Sequence, residues 1–280
     1  TPFFLTATGS DPDGNTLTYC WEQMDAGTAT TSPSATSTNR ANFRSFDPTT
    51  NPTRYFPNLA SLAANGPFTW EVLPTVARTL NFRVTVRDNA VGGGCTQHSN
   101  VTVTVNGATG PFTVTNPTTI GITWTGATSQ TVTWNVANTT NAPVSCANVD
   151  ILISTDGGLT YTVVLANTPN DGTQVITVPN TPSTTCRVMV RCAGGNFFDI
   201  SNNNFTIVAS VFDYTLAASN PSVNVCQSVN AVYNITSTSI GGYSDPINLS
   251  VTGVPVGGIA TFGTNPITPG NGTTLTISGT

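Results

Sequence analysis

Apolar residues along this chain recur at every second position in short runs, each bounded by Gly, Pro, Asn or Asp. Period-two alternation at close spacing marks strands with one buried face and predicts an all-β protein. Phe3 to Thr8 reads as a strand, followed by a Gly9-to-Asn15 turn and a second strand over Leu17 to Gln23. The alternation puts Leu17, Tyr19 and Trp21 on the core face and turns Cys20 and Glu22 outward. Leu80 to Arg87 repeats the arrangement with Leu80, Phe82, Val84 and Val86 inside, and Val101, Val103 and Val105 close the module. Between them, residues 26–74 are irregular and too long for an ordinary loop. They read as an insertion packed by its own aromatics: Phe43, Phe46, Tyr55, Phe56, Phe68 and Trp70. Asn58 to Ala63 is the best helical candidate, and it is short.

The Gly-rich stretch Asn106 to Pro111 marks a first boundary. Seven strands follow, near Phe112–Thr115, Gln130–Ala137, Val149–Ser154, Thr160–Leu165, Thr173–Val178, Cys186–Arg191 and Phe205–Ala209, with Trp134 as core anchor. That is the size of an immunoglobulin-like or fibronectin type III-like sandwich. A shorter third module has strands at Phe212–Leu216, Ala231–Thr236, Ile247–Val251, Ile259–Phe262 and Thr273–Ile277. The expectation is three tandem β-sandwich domains over 1–107, 108–209 and 210–280, the first carrying the 26–74 insertion and the third truncated. The chain begins and ends in strand-like sequence, which suggests a piece of a longer polypeptide.

Composition narrows the function. Only 8% of the 280 residues are charged, lysine is absent and the formal charge is −5, so the basic face that displaces phosphate counterions is missing and nucleic acid is not an expected partner. No apolar run is long enough to span a bilayer, so no membrane insertion is expected. Six cysteines in an acidic, Thr-rich chain point to an oxidising, extracytoplasmic setting. In the first module Cys20 and Cys95 can pair only with each other, across the outer surface. In the second, Cys186 and Cys192 lie on one strand about 20 Å apart and cannot pair. Cys186 shares the face of Val188 and Val190 and reads as a buried thiol, which favours Cys146 with Cys192. Cys226 stands alone, free or paired outside the chain.

Candidate chemistry is sparse. Asp11-Pro12-Asp13-Gly14, with Asp88 at a returning strand end, could offer oxygens to Ca²⁺. The same residues also make a plain hairpin turn through their backbone preferences. Ser154-Thr155-Asp156-Gly157-Gly158-Leu159-Thr160-Tyr161 matches the Asp-box pattern, in which the Asp accepts hydrogen bonds from the turn and the aromatic packs beneath it. Glu22 and Glu71 are the only glutamates, and Glu22 reads as half of a surface ion pair. The single histidine, His98, sits in a polar segment and reads as solvated. Neither a zinc triad nor a nucleophile–histidine pair can be assembled, so no catalytic residue is expected. Exposed aromatics could stack on sugars, with Trp70 and Trp124 the leading candidates beside Tyr55 and Phe56.

Phe4-Leu5-Thr6-Ala7-Thr8-Gly9-Ser10-Asp11-Pro12-Asp13-Gly14, then Leu17 to Gln23, Phe43 to Phe46, Pro52 to Pro57, Trp70 to Pro74 and Leu80 to Asn89, together resemble the segment downstream of the catalytic domain in secreted bacterial reprolysin-like zinc metalloproteases. The first module resembles PKD- or cadherin-like domains, and the later modules resemble the Ig-like and fibronectin-like tail of those proteins. The resemblance brings no catalytic residue. It implies a non-catalytic spacer, stabilising or substrate-docking region, secreted or at a bacterial cell surface. It also implies a monomer that has the protease domain as partner in cis, with zinc only in that upstream domain and no cofactor here beyond structural Ca²⁺. The alternative is a surface adhesin or carbohydrate-binding array whose partner is an extracellular protein or glycan.

Overall fold

The computed structural model describes residues 1–27, 32–219, 222–226 and 228–279. Among the described residues the chain is all-β apart from one five-residue helix. It forms two compact units, residues 1–209 and 210–280.

The first sandwich is built from β1 (Phe3–Thr6), β2 (Thr18–Gln23), β3 (Thr53–Phe56), α1 (Leu59–Ala63), β4 (Arg78–Arg87) and β5 (Thr96–Val105). One sheet runs β2-β4-β5 and the other is β1-β3. As the alternation requires, Tyr19, Trp21, Leu80, Phe82 and Val84 are buried. The 26–74 segment is not a private core. It supplies β3, which pairs with β1 from Phe3↔Phe56 to Thr6↔Thr53, so half of one sheet comes from the expected insertion. Phe43 and Phe56 enter the main core, where Phe56 stacks 4.9 Å from Phe3 and lies 4.8 Å from Phe82. Phe46, Phe68 and Trp70 stay partly exposed. In α1, Asn58 caps the start, its Oδ1 accepting the Ser61 N–H at 2.9 Å.

The second sandwich comprises β6 (Thr113–Asn116), β7 (Thr123–Thr125), β8 (Ser129–Asn135), β9 (Asn148–Ser154), β10 (Thr162–Pro169), β11 (Thr173–Thr177), β12 (Ser183–Cys192), β13 (Phe198–Ile200) and β14 (Phe205–Val208). Its sheets are β10-β9-β12-β14-β7, with β13 also on β12, and β11-β8-β6. Their inner faces close on Val132, Trp134, Val149, Ile151, Val188, Val190 and Phe205.

The 106–111 stretch does not separate two compact bodies, because the two sandwiches share backbone pairing and a side-chain cluster within one unit. Phe3 bridges Phe197, the Phe4 N–H donates to Asn196 O at 2.7 Å, and the Phe198 N–H donates to Pro2 O at 3.0 Å.

The second unit is a single sheet, β15 (Asp213–Ala218), β16 (Ala231–Ile240), β18 (Gly272–Ser278) and β17 (Ile259–Phe262), in the order β15-β16-β18-β17. Among the described residues its cluster buries Ala231, Leu275 and Ile277. The expected strand at Ile247–Val251 is reduced to one bridge, Ile247↔Ile267.

Candidate functional site

The junction of the first two sandwiches gathers most of the unusual side-chain chemistry. Leu62, Leu152, Met189, Phe198 and Ile200 are buried there, with Phe4, Tyr55, Leu59 and Tyr161 packed against them. Tyr55 meets Phe198 edge-on at 5.3 Å. Burying each large apolar side chain stabilises such a contact by about 1.5–3 kcal/mol, so the cluster holds two modules as one body. Polar bonds cross the same seam: Arg187, on β12, donates to Ala63 O at 2.6 Å, and Asn65 Nδ2 donates to Asn202 O at 2.8 Å. Arg187 also bonds Asn204 Oδ1 and Ser201 O. Burial pulls its guanidinium below the ordinary arginine range.

The Asp-box loop joins β9 to β10 beside this seam. Asp156 Oδ1 accepts from Leu159 N–H at 3.0 Å, Thr160 N–H at 2.9 Å and Ser154 Oγ at 2.7 Å, and Oδ2 accepts from Thr160 Oγ1 at 2.6 Å. Partial desolvation raises this carboxyl, but those bonds outweigh it and leave the pKa at about 2. Gly158 has φ +94°, and a Cβ there would meet Tyr161 Oη at 3.0 Å and Ala63 Cβ at 3.2 Å. Only glycine fits both the backbone and the close approach of the two modules. Tyr161 does more than pack beneath its own turn: it enters the junction cluster, where burial raises its phenol. Its buried Oη has no hydrogen-bond partner.

A cavity of about 530 Å³ opens beside the cluster. Its lining includes Trp21, Arg54, Tyr55, Asn58, Tyr161 and Arg191. Arg54 is wedged over the rings of Phe46 (4.6 Å) and Phe56 (4.5 Å), donates to Trp21 O and Arg44 O, and pairs with buried Glu71 at 3.3 Å. Glu71 also accepts the Asn58 N–H at 3.0 Å. Desolvation lowers the Arg54 pKa and Glu71 opposes that shift. Arg191 pairs with Asp150 at 3.0 Å. The cavity's cations are thus already neutralised, and its lining carries one carboxylate, Asp47, and no histidine or cysteine. Such a recess can hold a small polar molecule and offers no acid–base pair.

The structure separates several residues that the sequence suggests belong together. Cys20 and Cys95 are both free. Cys20 lies opposite Thr85, Thr85 opposite His98, and Cys95 three residues further along. β4 therefore stands between them, leaving about 10 Å across two strand spacings and about 10 Å along the strand, beyond disulfide reach. Among the described residues the disulfide is Cys146–Cys192, with Cα atoms 5.9 Å apart, while Cys186 is a buried free thiol and Cys226 an exposed one.

Asp11 and Asp88 line one groove, but Asp13 is not on it. No three carboxylate, histidine or cysteine side chains converge as metal ligands among the described residues. The carboxylates serve their own loops. Asp11 Oδ1 accepts the Asp13 and Asn15 N–H groups, both at 3.0 Å, and both Asp88 oxygens accept the Cys95 N–H at 2.9 Å.

Trp124 is a core residue, 4% exposed and 4.4 Å from the Phe205 ring, so it cannot stack on a sugar. Trp70 is 38% exposed and stays accessible. Glu22 lies opposite Arg83 across the β2–β4 ladder, but the expected surface ion pair is not formed among the described residues: Arg83 Nε donates to Asn100 Oδ1 at 3.0 Å instead. The buried acid is Glu71, whose pairing with Arg54 across 17 residues leaves no local signal in the sequence.

No protein-family model matches the chain, and no curated protein matches it. Solved structures similar to it include domains 1–6 of the surface layer protein SbsC (15% identity, TM-score 0.31, covering 75% of this chain and 30% of that one). The FN1–FN3 domains of chicken CNTN1 show 11% identity and TM-score 0.20, covering 84% and 70%. Domains 4–9 of SbsC show 16% identity and TM-score 0.18, covering 76% and 32%. The chain spans less than a third of the length of the first of these. No helix among the described residues is long and apolar enough to cross a membrane.

Proposed function

We propose that this chain is a non-catalytic, extracytoplasmic β-sandwich region in which residues 1–209 act as one rigid spacer and docking body. The observation that carries this reading is the junction: one apolar cluster, strand pairing at Phe3–Phe197 and the Arg187–Ala63 bond tie two sandwiches into a single unit. A hinge would serve a flexible tether, whereas a welded joint fixes the distance and direction between whatever lies at its two ends. NMR relaxation tests this directly. A common rotational correlation time for the two sandwiches supports the rigid body, and independent tumbling removes it.

The motifs from Phe4 to Asn89 support a finer reading, in which the region serves a secreted bacterial zinc metalloprotease as spacer or substrate-docking tail. Peptide mass spectrometry of the native polypeptide tests that reading. Peptides carrying His-Glu-x-x-His-x-x-Gly-x-x-His in the same chain would support it, and a native chain made only of further β modules would end it. The cavity of about 530 Å³ favours a second reading, a glycan-binding surface protein. A glycan array probed with the native chain and with Tyr161→Phe and Trp70→Ala variants tests it, and no binding by the native chain rejects it.

A further inference from the structure

The two sheets of the first sandwich are unequal. One has three strands and the other has two, and β5 is exposed over residues 96–102 while Val103 and Val105 pack against the core. Register fixes its inward positions: Val101 lies opposite Phe82, Ser99 opposite Val84 and Gln97 opposite Val86. Phe82 and Val84 are buried, whereas Gln97, Ser99 and Val101 are exposed. The space over them is a groove of about 550 Å³, with Leu5, Trp21, Val84 and Val101 among the apolar residues of its lining.

β1 forms the opposite wall, and alternation fixes the direction of its backbone groups. The Ala7 N–H donates to Pro52 O on the β3 side, while the Phe4 N–H donates to Asn196 O on the other side. Thr6 and Thr8 therefore turn their N–H and C=O groups the same way as Phe4, toward the groove. This edge is already a pairing edge over its first residues, where Asn196–Phe198 bonds to Pro2 and Phe4. Beyond Phe4 the partner segment leaves and the edge continues open. The other wall, β5, spans ten residues without Lys, Arg, Asp, Glu or Pro, so it lacks the charges and prolines that usually block strand addition. The charged side chains on the groove's lining are Asp11 and Asp88, both acidic.

We propose that the groove between β1 and β5 receives an extended strand of a separate polypeptide. That strand pairs with the Thr6–Thr8 edge, continues the pairing begun by Asn196–Phe198, and lays alternate apolar side chains over Gln97, Ser99 and Val101. A lysine or arginine at one end faces Asp11 and Asp88. Main-chain hydrogen bonds supply the affinity, and the apolar floor and acidic end supply the selectivity.

The probe is a fluorescein-labelled octapeptide of alternating valine and threonine with lysine at one end, titrated against the 280-residue chain and read by fluorescence anisotropy. Saturable binding is expected, weakened about tenfold or more when glutamate replaces the lysine. Thr8 is exposed and makes no side-chain hydrogen bond, so Thr8→Pro deletes an edge N–H without touching the core. Val101→Lys puts a like charge on the groove floor. Each variant should weaken the lysine peptide by about tenfold or more while its circular dichroism and melting match the parent. No saturable binding at millimolar peptide, or binding that neither variant changes, overturns the proposal. Concentration-dependent self-association that Thr8→Pro abolishes would make a second copy the occupant and likewise overturn it.

Discussion

The first and second sandwiches come from similar Thr-rich sequence, yet they satisfy their interiors in different ways. The second is a closed pair of sheets around aliphatic and aromatic residues, stapled by Cys146–Cys192, with Trp134 Nε1 donating to Asn170 Oδ1 at 2.8 Å. The first has fewer strands and a long irregular segment, so ladder bonds are scarce and side chains take their place. Asn42 Nδ2 donates to Val72 O at 2.9 Å, and Gln23 Oε1 accepts the Asn42 and Phe43 N–H groups. Arg78 bonds Ser37 O and Arg40 O, and Arg54 bonds Trp21 O. Buried backbone groups must find partners. Where strands do not supply them, buried Arg, Asn and Gln do, and removing one such side chain strands several main-chain groups at once.

That contrast is open to measurement. Glu71→Ala leaves the Arg54 guanidinium buried without its carboxylate and should destabilise residues 1–209 by about 3–5 kcal/mol in chemical denaturation. A loss below about 1 kcal/mol would show that polar pins do not carry the first sandwich. Replacing Cys146 and Cys192 by serine opens a 46-residue separation and should remove about 2–4 kcal/mol. Hydrogen exchange should then rise first in β9 and β12, and exchange rising first in β4 would contradict the division of labour.

Asp199 supplies a pH test. Burial pushes its carboxyl up to about 6, only partly offset by the Val114 and Ile200 N–H groups. The folded state therefore binds this proton more tightly than the unfolded chain, whose ordinary value is 3.8. The stability it contributes is full below that value and is lost as pH rises through about 6. Asp199→Asn should flatten the decline in melting temperature between pH 4 and pH 7, and an unchanged slope would assign that decline elsewhere. Asp156 has the opposite sign. Its stabilising effect is present above 3.8 and fades as pH falls through about 2. It is exposed, so after discounting for solvent, Asp156→Ala should remove only about 1 kcal/mol. The loss should appear as faster proteolysis of the 155–161 loop.

The strands were legible where apolar and polar residues alternated over several positions, as in β2, β4 and β8, because the buried face of a sheet imposes that period. β7 and β13, three residues each, are too short to show it, and this is why Trp124 reads as exposed until the pairing of β7 with β14 buries it. β3 hid in the irregular segment because its residues alternate poorly: Arg54 and Tyr55 are both half-buried. The second module's disulfide was readable because two of its cysteines share one strand. The Cys20–Cys95 pairing failed because strand order, which decides it, is not written in local sequence. At the junction, the Asp-box was visible as a turn, but its docking on Ala63 and the Arg54–Glu71 pair depend on contacts distant along the chain.

The pairing of Phe3 with Phe197 also governs how tension would travel. A pull on the N-terminal end of β1 would load its backbone bonds to Asn196 and Phe198 along with those to β3. Those bonds lie across the direction of pull, so they resist together and do not unzip singly.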